Sequence, residues 1–199
     1  MIAELKESIS LAIGEATGTD LEITSCQTQG GGCINEAWRI SGDKRNYFVK
    51  LNAANRLQMF VAESAALSEI AAADAIRVPH PVTYGSAAGQ SFLVLEALTF
   101  GRAQAESWDA MGKQLARLHR CTAERFGWHR ENVIGSTPQR NHWTAEWPDF
   151  FREQRLRPQF ELARRNGFKF SQTEALLQQV ERILADHKPE PSLLHGDLW

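Results

Sequence analysis

The chain is poor in the residues that staple or anchor proteins. It has three cysteines, three methionines and two tyrosines in 199 residues. Cys26, Cys33 and Cys121 are too few and too scattered for a disulfide framework. The longest apolar run, Phe92-Leu93-Val94-Leu95, stops at Glu96, far short of a membrane span. The opening Met1-Ile2-Ala3-Glu4-Leu5-Lys6-Glu7 lacks the basic-then-apolar order of a secretory signal. The formal net charge is −2, without the basic excess of a nucleic-acid binder or the acidity of a disordered chain. These absences lead to the expectation of a cytoplasmic protein with no nucleic-acid or membrane partner. What the chain does have is 43% apolar residues, enough for a sizeable core without staples. It also has six tryptophans, five of them from Trp108 onward.

Residues 2–17 carry Ile2, Leu5, Ile9, Ala12, Ile13 and Ala16 at helical spacing, and Gly18 stops them. Leu21–Gln29, Ile34–Ser41 and Tyr47–Leu51 read as three strands of an antiparallel meander, with Gly42-Asp43-Lys44 as a turn. Helical spacing returns over 56–73, where Phe60, Leu67 and Ile70 form a stripe. Val82–Tyr84 and Ser91–Glu96 read as two more strands. Beyond Gly101 the pattern is helical. Ser107 is positioned to cap a helix bearing Trp108, Met111, Leu115 and Leu118. Pro148 suits a first helical turn, and Pro158 predicts a kink or split. Ser171-Gln172-Thr173-Glu174 has the form of a capping box. The expectation is an α+β fold in two lobes: residues 1–97 with an antiparallel sheet and helices, and residues 98–199 mainly helical.

Chemistry concentrates in a few places. Gly30-Gly31-Gly32, closed by Cys33, lies between two strands. Three glycines let backbone N–H groups approach an anion. No Gly-Lys-Ser/Thr follows and no helix begins there, so neither a Walker loop nor a dinucleotide fingerprint fits. Lys50 sits on the third strand. Glu63 interrupts the apolar stripe of the next helix, where an inward carboxylate is costly unless paired, and Lys50 is the nearest cation. Glu96 to Leu98 end a buried strand at the lobe boundary, where a hinge would offer backbone groups to an adenine. Leu194-His195-Gly196-Asp197-Leu198 delivers a His-x-Asp pair, with Asp197 in the position of a base for a substrate hydroxyl. Glycine loop, strand lysine, helix glutamate, hinge and HxD stand in the order of a protein-kinase-like fold. His119, His129 and His142 show no metal-ligand spacing with the cysteines, so no metal site is assigned.

Six segments narrow the reading further. Gly-Gly-Cys-Ile-Asn (31–35), Phe-Val-Lys (48–50), Phe-Gly-Trp (126–128), Ile-Gly-Ser-Thr-Pro-Gln (134–139), Trp-Pro-Asp-Phe-Phe-Arg-Glu-Gln-Arg-Leu (147–156) and Leu-His-Gly-Asp-Leu-Trp (194–199) resemble the fructosamine kinases, or ketosamine-3-kinases. The resemblance runs along essentially the whole chain. It implies ATP and magnesium as cofactors, and phosphorylation of the 3-hydroxyl of ketosamines on small amines or glycated proteins. The adduct then decomposes, which is deglycation repair. It also implies that Gly30 to Cys33 cover the phosphates, Lys50 holds them, Glu63 orients Lys50, Asp197 is the base and Trp199 lies beside the sugar. Cys33 is a redox candidate through a disulfide-linked dimer. Another phosphotransferase of the aminoglycoside or choline kinase type, or a non-catalytic nucleotide-binding remnant, are the alternatives. The family pattern continues Ser-Gly-Asn and then a metal-binding Asp, so the metal ligands are expected beyond residue 199. With an incomplete second lobe, the 199-residue chain is expected to be inactive, and ATP-dependent phosphorylation of a ribulosyl-lysine analogue by it would refute that.

Overall fold

In the computed structural model, residues 1–30, 34–42 and 45–196 are described, and they fall into two compact units that divide between Arg117 and Leu118. The last strand of the first unit's sheet ends at Glu96, next to the lobe boundary expected from the sequence at 97–98. No helix among the described residues is long and apolar enough to cross a membrane.

The first unit opens with α1 (Ala3–Thr17), which buries Leu5, Ile9 and Ile13 completely and ends at Gly18 in the left-handed region, φ +67°. Five strands follow: β1 (Ser25–Gln29), β2 (Glu36–Gly42), β3 (Arg45–Ala53), β4 (Pro81–Ala87) and β5 (Gln90–Glu96). They form one antiparallel sheet in the order β1-β2-β3-β5-β4. Helix α2 (Leu57–Ala72) connects β3 to β4. Strand alternation sorts the side chains. Tyr47, Val49 and Leu51 of β3 join Phe92 and Val94 of β5 in the core with α1. Phe48 faces the other way, where Leu93 and Leu95 pack with Phe60, Met59 and Leu67 of α2.

Helix α3 (Ala105–Leu118) begins two residues before Ser107. Ser107 is not the cap itself. Its hydroxyl reaches back to accept the Gln104 N–H at 3.2 Å, the return half of a capping box. The expected apolar stripe is graded, from fully buried Leu118 to mostly exposed Trp108. Cys121 lies just past the end of α3.

The second unit contains a short hairpin, β6 (Asn132–Ile134) with β7 (Thr137–Gln139), and the helices α4 (Trp147–Phe150), α5 (Arg157–Arg165) and α6 (Thr173–Ile183). Residues Phe151–Leu156 between α4 and α5 are wound as a π-helix. Pro158 explains the break. It has no N–H to return to the carbonyl of Gln154, four residues back, and Arg155 Nη1 donates to that carbonyl at 3.0 Å instead. Pro148 stands in the first turn of α4, as expected. The capping box at Ser171 does not form. The helix starts at Thr173, Gln172 is left-handed at φ +61°, and the Glu174 carboxylate accepts from Arg157 Nη1 at 3.0 Å. A guanidinium partner outcompetes a return to the backbone.

Two glycines test the packing in opposite senses. A Cβ on Gly42 would meet the Glu22 carbonyl oxygen at 1.9 Å, whereas one on Gly112, within α3, would meet nothing within 4 Å. Gly42→Ala should destabilise by about 1–3 kcal/mol. Gly112→Ala should stabilise by about 0.5–1 kcal/mol. Urea unfolding of the two variants would check both signs.

Candidate functional site

The site in the first unit grows from β3. Because Tyr47, Val49 and Leu51 are drawn into the α1 core, the intervening Lys50 and Asn52 take the α2 face. Ala37 of β2 and Leu93 of β5 flank Lys50 in register. On α2, Glu63 comes one turn after the buried Phe60. Its Oε1 accepts from Lys50 Nζ at 2.5 Å. Lys50 and Glu63 side chains remain 29% and 26% exposed, so the ammonium is braced yet reachable. The structure thus brings together the strand lysine and helix glutamate read from the sequence.

Gly30 follows directly on β1 and is exposed. Gly31, Gly32 and Cys33, including the redox expectation for Cys33, lie outside the described residues, as do Asp197 and Trp199. Where the chain re-enters β2, Asn52 Nδ2 donates to the Ile34 carbonyl at 3.2 Å and to Asn35 Oδ1 at 2.7 Å. Asn52 Oδ1 accepts from the Ala53 N–H at 2.7 Å. Sequence reasoning passed over this pair. Its signal was the asparagine two positions beyond Lys50, hence on the same face.

Glu96 ends β5 with its carboxylate held by the protein. Arg77 Nη2 donates to Oε1, and the His80 N–H donates to Oε2 at 3.3 Å. The Glu96 N–H in turn donates to the His80 carbonyl at 2.9 Å. The Arg77 hydrogen bond, helped by the His80 amide and opposed by desolvation, lowers the Glu96 pKa below the ordinary carboxylate value. Glu96 therefore serves first to fasten the strand end. Leu98 follows in half-buried irregular chain.

In the second unit the approach to Asp197 is tied down through its backbone. The Leu193 N–H donates to the Cys121 carbonyl at 2.8 Å, and the Ala123 N–H donates to the Pro191 carbonyl at 2.8 Å. An isolated antiparallel bridge, Thr122 to Ser192, lies beside these bonds. His195 is exposed, and Gly196 has φ +85°. The β6–β7 hairpin, which carries Gly-Ser-Thr-Pro-Gln, is fastened by Asn141. This buried residue donates from Nδ2 to Asn132 Oδ1 at 2.9 Å and accepts from Arg155 Nη2 at 2.8 Å. Arg155 also lies over the Phe150 ring, 4.5 Å from its centroid, and desolvation lowers its pKa from the usual arginine value. Phe126, Trp147, Phe150 and Phe151 form an aromatic cluster beside it, with Trp147 and Phe151 centroids 5.5 Å apart.

The low Glu96 pKa fixes a sign. A carboxylate whose folded pKa is depressed contributes stability above its unfolded pKa, and that contribution is lost as pH falls through the folded value. The stability gap between wild type and Glu96→Gln should therefore be widest near neutral pH and shrink below the ordinary carboxylate range. Denaturant titrations across pH would check this, and a gap independent of pH would contradict it.

Comparison with known proteins places this geometry. Residues 5–199 match the sequence profile of the fructosamine kinase family. A probable ketoamine kinase of Synechocystis sp. is 45% identical over 97% of this chain and 66% of its own length. A chloroplastic protein-ribulosamine 3-kinase of Oryza sativa subsp. japonica is 35% identical over 96% of this chain and 60% of its own. Among solved structures, a Haemophilus somnus protein assigned the name fructosamine-3-kinase superposes with a TM-score of 0.87 at 32% identity. That match covers 96% of this chain and 65% of the other. The chain thus spans about two thirds or less of the length of these relatives. The α+β, protein-kinase-like class read from the sequence is borne out.

Proposed function

The chain belongs to the fructosamine kinase family, and we propose that it acts as an ATP-dependent kinase on the 3-hydroxyl of ketosamines. The observation that carries the nucleotide half of this reading is the Lys50–Glu63 pair at 2.5 Å, on the strand and helix that follow a glycine run. A partly exposed ammonium held in one place by a carboxylate fits the α- and β-phosphates of a nucleoside triphosphate. Glu63 contributes orientation, not contact with the phosphates. It keeps Nζ from folding away along the sheet, so Lys50 meets the phosphates without reorganising. Backbone N–H groups of the glycine run, Gly30 to Cys33, are assigned to the phosphates in this reading. The hinge after Glu96, through Leu98, offers backbone groups for the adenine.

On the acceptor side the reading assigns Asp197 as general base. Its carboxylate takes the proton of the ketosamine 3-hydroxyl as that oxygen attacks the γ-phosphorus and the bond to the departing ADP breaks. ATP, when bound, supplies the phosphoryl group. Trp199 is assigned to the sugar. Deglycation follows in this reading because the phosphorylated adduct is unstable. Magnesium is expected from the family. Among the described residues no cluster of three or more His, Cys, Asp or Glu could hold it, so no step is drawn through the metal. The substrate class rests on the family and on the name of the rice relative, a protein-ribulosamine 3-kinase.

Titration of the purified protein with ATP tests the nucleotide half. Lys50→Met should weaken ATP at least about tenfold, because a charge-assisted contact is lost. It should change stability by less than about 1 kcal/mol, because the pair is partly exposed. Retained ATP affinity in that variant would remove Lys50 from the site. In a form that includes the metal-binding Asp expected of the family, with ribulosyl-lysine as acceptor, Asp197→Asn should lower turnover by about 10²–10⁴-fold. Preference for an aminoglycoside or choline over the ketosamine would replace the acceptor assignment. Nucleotide binding without transfer to any acceptor would mark a non-catalytic binder.

A further inference from the structure

Asn52 stands two residues beyond Lys50 on the same face of β3, about 7 Å along the strand. Every polar position of its amide is engaged. Both donors go to oxygens of the chain entering β2, at Ile34 and Asn35, and its oxygen accepts from the Ala53 N–H. Turning the amide over would set oxygen against oxygen. The strand is also held from the opposite edge. Ser91, fully buried and paired in register with Asn52, donates its hydroxyl to the Ala53 carbonyl at 2.9 Å. The strand that presents the cation is thereby fastened to the point where the chain leaves the glycine run.

We infer that Asn52 is a positioning residue for the nucleotide phosphates, acting through Asn35 and Ile34. The inference rests on the nucleotide-site reading above. Phosphate binding by backbone N–H groups and by an ammonium is strong only when the two donor sets are held at a constant separation. Lys50 has its own brace in Glu63. The Asn52–Asn35 contact supplies a second one just past the end of the β2–β3 ladder at Glu36 and Leu51, holding Asn35 and Ile34 against the strand that carries Lys50. A directional amide pair suits this end position, where the ladder no longer fixes the chain. A simple strand-end brace would make the same bonds. The two roles differ in what they do to a ligand with phosphates and one without.

The test is titration of the protein with ATP and, separately, with adenosine, using Asn52→Leu, Asn35→Leu and the double variant. These substitutions are uncharged and so leave the field around the phosphates unchanged. Each single variant should weaken ATP about tenfold, as for one net hydrogen bond, and leave adenosine within about twofold. The double variant should also lose about tenfold rather than about a hundredfold, because the two side chains act through one contact. Unchanged ATP affinity, equal weakening of ATP and adenosine, or additive losses would each overturn the inference. If the unmodified protein failed to bind ATP, the nucleotide-site reading would fall, and this inference with it. ATP bound by the unmodified protein and equally by the variants would defeat this inference alone.

Discussion

Burial of one side of β3 is the constraint on which the first unit depends. Tyr47, Val49 and Leu51 are almost fully withdrawn from water against α1. Each such side chain is worth roughly 1.5–3 kcal/mol when buried. A slip of one residue would turn all three outward and bring Lys50 and Asn52 into an apolar core. The register is therefore held by the hydrophobic effect, and the polar chemistry on the reverse side is a consequence of it. Lys50 reaches Glu63 because Val49 and Leu51 have somewhere better to be.

The same logic explains what could be read in advance. Period-two alternation around Lys50 and period-3.6 spacing around Phe60 both report burial. Their intersection points to the Lys50–Glu63 pair from the sequence. The five strands and the first two helices were legible for that reason, as was the split at Pro158, where the missing N–H is a covalent fact. Contacts that depend on a competition between polar partners were not legible. Ser171 and Glu174 have the spacing of a cap, but spacing does not reveal that Arg157 arrives from another helix with a stronger claim on the carboxylate. Arg77 and Glu96 lie 19 positions apart, one of them in a loop, with no periodicity to join them. The Asn35–Asn52 pair joins two strands whose register had to be known first. The role of Asp197 rests on motif order and that of Trp199 on the family resemblance, and neither carries distances.

The second unit solves a different problem. Its motif segments are poor in long regular elements and rich in arginine and aromatic side chains. Asn141, buried and fully bonded, joins the hairpin to the π-wound turn through Arg155. Phe150 lies beneath that guanidinium, which suits a cation withdrawn from water with no carboxylate ion pair among the described residues. Around it, Arg152 and Arg157 share Glu153. Shape in this unit is carried by planar, many-handed side chains where the first unit uses strand pairing.

That reliance bears on how cooperatively the helical stretch from Trp147 to Arg165 behaves. In a continuous α-helix each backbone amide closes a ring to the carbonyl four residues back, so opening one turn loosens the next. At Gln154 the ring is closed by a side chain, Arg155. The two halves of the stretch are thus joined by that guanidinium together with wider backbone rings, such as the Arg157 N–H on the Arg152 carbonyl five residues back. Amide exchange with solvent can report them as separate opening units, each with its own protection, meeting at a proline that has no amide proton to exchange.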